Sequence, residues 1–317
     1  DFPTGITPAG VSIGDLDGDG KPDLAVSNSL SNTVSVLRNT GTIGTISFAP
    51  KVDFPTGNTP INASIGDLDG DGKPDLSISN QDANTISVLR NIGTNGTISF
   101  APKVDFATGI YPLFVSTGDL DGDGKPDLAV ANSTSGSVSA LRNTGTIGNI
   151  SFAPKIDFVV GTGTRCVSIG DLDGDGKADL AAANVFSNTV SVLRNTGTSG
   201  LISFAPKVDF ATGLAPTSVP IGDVDGDGKS DLAVANDISG TISVLKNIGT
   251  SGTISFAPKI DYTIAGAATC VSIGDLDGDG KPDLAIATFV SDNVSVLRNT
   301  VANFVTPSIN IATSSTT

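Results

Sequence analysis

Histidine, glutamate, methionine and tryptophan are absent from this 317-residue chain, and cysteine and tyrosine occur only twice each. Without His there is no triad that runs through an imidazole, and without Glu there is no Glu acid–base pair. Positive charge is scarce as well: 18 Lys and Arg face 33 acidic residues, a net charge of −15. That balance argues against nucleic acid and against anionic membrane surfaces as partners. No apolar run approaches the length of a membrane span, so membrane insertion is not expected, and any signal peptide is expected to have been removed. Cys166 and Cys270 occupy the same repeat position two units apart. In a six-fold ring a bridge between them would bring each Cα to about 3 Å from the axis, so both are read as small, free, buried thiols.

What the chain has in excess is aspartate, in one pattern. DLDGDGKPD at Asp15 to Asp23 recurs, with small changes, from Asp67, Asp119, Asp171, Asp223 and Asp275, each start 52 residues after the last. Positions one, three, five and nine are always Asp: Asp15, Asp17, Asp19 and Asp23; Asp67, Asp69, Asp71 and Asp75; Asp119, Asp121, Asp123 and Asp127. The later copies supply Asp171, Asp173, Asp175 and Asp179; Asp223, Asp225, Asp227 and Asp231; Asp275, Asp277, Asp279 and Asp283. Position seven is Lys21, Lys73, Lys125, Lys177, Lys229 or Lys281, each able to offer its backbone carbonyl.

Alternate carboxylates with a glycine at position six form an all-oxygen set suited to a hard cation, and the pattern is that of a calcium loop. Magnesium would take fewer protein ligands and more water. A single Asp-Gly stretch could be a solvated turn, but six copies remove that alternative. Four crowded carboxylates repel one another unless a cation lies between them. An EF-hand is excluded, because position twelve is Val26 rather than Glu and the flanks read as strands. About six Ca2+ are expected, one per repeat.

The six loops hold 24 of the 33 Asp, so the acidity is largely that of the metal sites. Six divalent ions would bring the net charge to about −3. If each site bound at about 10 μM under about 1 mM calcium, each would add about 2.7 kcal/mol to stability. Such loops fill outside the cytosol, which predicts an extracellular, secreted or cell-surface protein.

An uninterrupted 52-residue period argues for a single array over 1–312, with 313–317 as a polar tail. In the first unit strands are expected at Ala9 to Gly14, Leu24 to Asn28, Thr33 to Arg38 and Ile46 to Phe54. Phe304 to Ile311 is expected to form the outer strand of the last unit, and the N-terminal DFPTG to contribute only to the seam. Four short strands per repeat of this length make the blade of a β-propeller. The expected fold is therefore all-β: a six-bladed β-propeller, four antiparallel strands per blade, with one calcium loop between strands one and two of each blade.

The unit GDLDGDGKPDLAVSN with NTVSVLRN resembles the FG-GAP or VCBS repeat of integrin-α-like β-propellers, over essentially the whole chain from Asp1 to Ile311. The resemblance implies a calcium loop joining the first two strands of a blade and a role in adhesion. Integrin propellers have seven blades and calcium in only some of them, whereas six repeats and six intact loops occur here.

Residues that break the repeat fall in two links, between strands four and one and between strands two and three. They are Tyr111, Phe114, Arg165, Phe186, Phe289, Asp82, Asp237 and Asp292. Both links leave a four-stranded meander at the end opposite the calcium loops. Irregular aromatics and charges on loops suit recognition, although loops also drift after duplication. Phe114 shares a position with Gly10, Cys166 and Cys270, where it could plug a channel instead.

Three functions follow in order of preference. The first is a non-catalytic, monomeric extracellular module that binds another macromolecule, protein or glycan. The second is a lectin. The third is the propeller of a polysaccharide-degrading enzyme, for which Arg165 and Tyr111 are the only irregular candidates.

Overall fold

The computed structural model describes residues 1–289, 291, 293–300 and 310–312, the last three by backbone alone. Asp292, Phe304 and the 313–317 tail lie outside the described residues. The fold is all-β, with six four-stranded antiparallel blades of the β-propeller type. Two compact units contain them, Asp1–Val159 and Val160–Thr317. Among the described residues no helix is long and apolar enough to cross a membrane.

In the first blade the strands are β1 (Pro8–Gly14), β2 (Asp23–Asn28), β3 (Thr33–Leu37) and β4 (Val52–Pro55), paired in that order. The inner three match the sequence expectation to within a residue. The fourth is shorter than expected. Ile46 to Lys51 touches the sheet only at the Asn39–Phe48 bridge, and ladder pairing starts at Val52 against Val36. In the last blade Asn310–Ala312 forms the outer strand, paired with Val296 to Arg298.

Each first strand carries a bulge at its first residues, as at Pro8/Gly10 and Thr164/Cys166. The fifth blade goes further. Its first strand breaks into Pro216–Ser218 and Ile221–Gly222, because Pro220 stands where the other copies have Ser and has no N–H for the ladder.

The two central strands are buried on both faces because blades stack. Ala25, Val34 and Val36 of the first blade pack on Ala63, Leu76 and Ile78 of the second. Ile86 and Val88 pack in turn on Val115, Leu128 and Val130 of the third, and Ile242 and Val244 meet Val271 and Ile286 in the second unit. An edge-to-face pair clamps the rim: Phe54 lies 5.0 Å from Phe100 of the next blade, worth about 0.5–1.5 kcal/mol beyond its burial. Phe2 makes the same contact with Phe48, which is what the N-terminal segment contributes.

A polar thread running from buried Asn28 to the surface explains the repeated Asp53. Asn28 donates to Ser35 at 2.9 Å, Ser35 donates to Asp53 at 2.6 Å, and Lys51 pairs with that carboxylate. Cys166 is buried as expected, but Cys270 is exposed, because the first strand of the last blade is less covered; both are free thiols.

Candidate metal centre

Each Asp-rich loop links the first and second strands of its blade. Gly18 and Gly20 hold φ at +74° and +86° with open space where a Cβ would stand, so the turn's handedness alone demands glycine there. The carboxylates then fold inward on backbone amides. Asp15 accepts from the N–H groups of Gly18 and Gly20 at 2.8 Å, and Asp19 accepts from Lys21 at 2.9 Å. Asp23 braces the loop: its two oxygens accept from Leu16 N–H at 2.9 Å and Asn39 N–H at 2.7 Å.

Asp17 is different. One oxygen accepts from Asp19 N–H at 3.1 Å, while Oδ2 is buried with no hydrogen-bond donor. Asp69, Asp121 and Asp173 repeat that orphaned oxygen at the same place. Arg38, Arg90 and Arg194 approach it only to 3.8–3.9 Å. In the fifth blade Lys246 contacts Asp225 directly, and in the sixth Arg298 contacts Asp277.

Within single loops, ligand oxygens of Asp15, Asp17 and Asp19, of Asp67, Asp69 and Asp71, and of Asp119, Asp121 and Asp127 lie within 4.8 Å of one another. The same spacing joins Asp171, Asp173 and Asp179, and Asp223, Asp225 and Asp231. Burial, reinforced by neighbouring carboxylates, raises Asp17, Asp69, Asp121 and Asp173 above the usual range. Burial also pushes Asp75 up to about 7 and Asp127, Asp179 and Asp231 up to about 6, against the lowering effect of two backbone donors each.

A buried carboxylate oxygen without a donor, beside like charges that raise its own pKa, would be completed by a cation. The donor set fits a hard divalent ion. Asp15, Asp17, Asp19 and Asp23 would hold it, and it would supply the positive charge that lets all four ionise together.

The irregular residues sit at the other end of the strands. There the two links of a blade run side by side, Ser29 N–H donating to Thr7 O at 2.9 Å and Phe186 N–H to Thr162 O at 3.1 Å. Thr7, Thr59, Tyr111 and Ala215 share a left-handed backbone, with φ from +56° to +65°. An Asn of the preceding blade holds this conformation: Asn32 accepts from Thr59 N–H at 2.9 Å, Asn84 from Tyr111 N–H and Asn188 from Ala215 N–H, both at 2.8 Å.

In the first unit, Tyr111 is exposed on the loop next to that of Asp82, which is tied by Thr59 Oγ1 at 2.6 Å. Phe114 is half-buried within a first strand, opposite Ala131. In the second unit, Phe186 and Phe289 are 77% and 71% exposed, Asp237 is half-buried and Arg165 is exposed at its bulge; Phe289 ends the longer second strand of the last blade, paired with Ala267, rather than lying in the link as expected. The aliphatic members escaped sequence reasoning: Leu30, Ile110, Leu214 and Ile238 are exposed on these same links. Their signal was the repeat itself, since other copies carry Asn, Asp or Thr at those positions.

The FG-GAP-like repeat family matches residues 15–78, 70–130, 119–182, 171–234 and 223–286. Integrin alpha-4 of Xenopus laevis is 27% identical over 152 residues, 42% of this chain and 15% of the relative. The KICSTOR complex protein ITFG2 of Mus musculus is 35% identical over 82 residues, 25% of this chain and 17% of the relative. The chain thus spans under a fifth of the length of these curated relatives. A protein from Lactobacillus plantarum of known structure superposes with a TM-score of 0.66 at 16% identity, covering 98% of this chain and 85% of that one, a likeness of fold.

Proposed function

We propose, from the premise that this chain belongs to the FG-GAP-like repeat family, that it is a non-catalytic extracellular binding module, each blade stiffened by one calcium ion. The observation that carries the metal half is the orphaned Oδ2 of Asp17, Asp69, Asp121 and Asp173, buried at one place in four loops. Millimolar calcium outside the cell supplies the ion such sites take. Recognition falls to the paired links at the opposite end, where exposed apolar side chains change from blade to blade on a constant backbone. Tyr111 and Ile110 serve in the first unit, and Phe186, Leu214, Ile238 and Phe289 in the second. Large apolar groups exposed on loops suit a protein partner.

A second reading, a lectin, is favoured by a cleft at the calcium end. Between the second and third blades it encloses about 510 Å³ lined by Asp67, Asp69, Lys125, Thr146 and Ile147. A smaller cleft of about 250 Å³ recurs between the fourth and fifth blades.

The test is a screen of the purified protein against extracellular-matrix proteins and a glycan array, with calcium and with EDTA. Protein binding lost on Phe186→Ala or Tyr111→Ala supports the module with its apolar links. Glycan binding lost on Ile147→Ala and kept on Phe186→Ala replaces it with the lectin. Catalysis on a polysaccharide by the same preparation would overturn both.

A further inference from the structure

The loops are not isolated from one another. Asn143 stands just after the third strand of its blade, is 1% exposed, and uses its backbone N–H and every hydrogen-bonding group of its side chain. Its backbone N–H donates to Asp127 at 2.7 Å, so it orients the position-nine carboxylate of its own loop. One amide hydrogen donates to Pro126 O of that loop at 2.9 Å, and the carbonyl accepts from Gly145 N–H at 2.8 Å. The other amide hydrogen crosses to the preceding blade and donates to Leu68 O at 2.7 Å. Leu68 lies between Asp67 and Asp69, at the second position of the upstream loop.

Asn91 repeats the arrangement, joining Leu16 O at 2.8 Å to Asp75 at 2.7 Å. In the second unit Asn247 joins Leu172 O to Asp231, and Asn299 joins Val224 O to Asp283. A second strap runs alongside, Gly96 N–H donating to Asp17 O at 3.0 Å and Gly252 N–H to Asp173 O at 3.2 Å. The loops at 15–23, 67–75, 171–179 and 223–231 are therefore each held by the blade that follows.

We propose that Asn91, Asn143, Asn247 and Asn299 are positioning residues that couple neighbouring calcium loops, so that calcium fills each unit cooperatively. The proposal rests on the calcium-binding reading above. Ordering one loop fixes the carbonyl between its first two carboxylates. That carbonyl fixes the Asn amide, and the same residue's N–H fixes the position-nine carboxylate of the next loop. The second site is ordered before its ion arrives, and its affinity rises. Only Asn has the reach and the donor–acceptor set: Asp would turn a carboxylate onto two carbonyls, and Gln is one methylene too long.

The experiment titrates metal-stripped protein with calcium against a chromophoric chelator. The expected isotherm is steeper than that of independent sites. Asp71→Asn in the second loop should cost its own ion and weaken the site at 119–127 by on the order of five-fold, the lower range of such couplings. In an Asn143→Ser background that transmitted loss should disappear, which a purely structural role of Asn143 would not produce. A wild-type isotherm of independent sites, or an Asp71→Asn variant whose remaining sites keep their affinity, overturns the coupling and leaves calcium binding intact. No binding at millimolar calcium overturns both.

Discussion

Replacing Asp69 by Asn should have opposite effects on stability with and without calcium. The side chain is buried, its Oδ2 has no donor, and it lies among the carboxylates of Asp67 and Asp71. With calcium at about a hundred times its dissociation constant, a filled site adds about 2.7 kcal/mol, which the variant forfeits. For a unit of 159 residues that lowers the melting temperature by about 5–10 °C. In EDTA the sign reverses. Asn removes a charge that burial and two like neighbours oppose, and its amide can donate to one of them. The gain is on the order of 1 kcal/mol, the ordinary cost of a buried unsatisfied acceptor. The pairing lost with Arg90, 3.8 Å away and partly exposed, is too weak to cancel it. Differential scanning calorimetry of both proteins in 1 mM calcium and in EDTA, near neutral pH, measures this directly. If Asp69→Asn lowered the melting temperature equally in both buffers, the carboxylate would serve the fold and the metal assignment would fail.

Three further outcomes are expected. Metal-free protein should lose stability as pH rises from 4 to 8. The folded pKa of Asp75 stands near 7 and those of Asp127, Asp179 and Asp231 near 6, above the ordinary aspartate value of about 3.9, so their contribution is full below that value and vanishes as they ionise. Urea titrations across that range should show a fall in EDTA and a rise in saturating calcium. With Ellman's reagent at pH 8 the native chain should yield one thiol, Cys270, and two after denaturation, because burial pushes Cys166 up to about 12. Gly20→Ala should cost about 1–2 kcal/mol through its left-handed backbone alone, read from urea midpoints, since no atom obstructs the new methyl.

The repeat made most of the fold legible. Alternation in VSIG and DLAVSN placed the inner strands, and the shared spacing of Asp15, Asp17, Asp19 and Asp23 placed the loops. The outer strand was over-read because Ile46 to Lys51 alternates like a strand. Its Phe48 is instead drawn to Phe2 and to the Asn39 bridge, contacts a local pattern cannot display. Exposure of Cys270 was equally hidden, since its repeat position matches that of buried Cys166. The Asn relay had a visible signal: Asn39, Asn91, Asn143, Asn195, Asn247 and Asn299 hold one position in all six repeats. What the pattern lacked was direction. Nothing in a linear repeat says that an amide reaches the carbonyl of the blade before it.

The paired links separate two things that most binding loops keep together. Their backbone course is set by Asn32, Asn84 and Asn188 and by the hydrogen bonds between adjoining links. The displayed side chains at 30, 82, 134, 186 and 238 are Leu, Asp, Thr, Phe and Ile; Asp82 is tied to Thr59 Oγ1, while the apolar Leu30, Phe186 and Ile238 have no polar group with which to set that course. Surface chemistry can therefore be exchanged without renegotiating the fold. A population of such proteins could diversify its targets by point substitution alone, and an engineer could randomise these positions and select new binders from a scaffold whose core lies in its stacked inner strands.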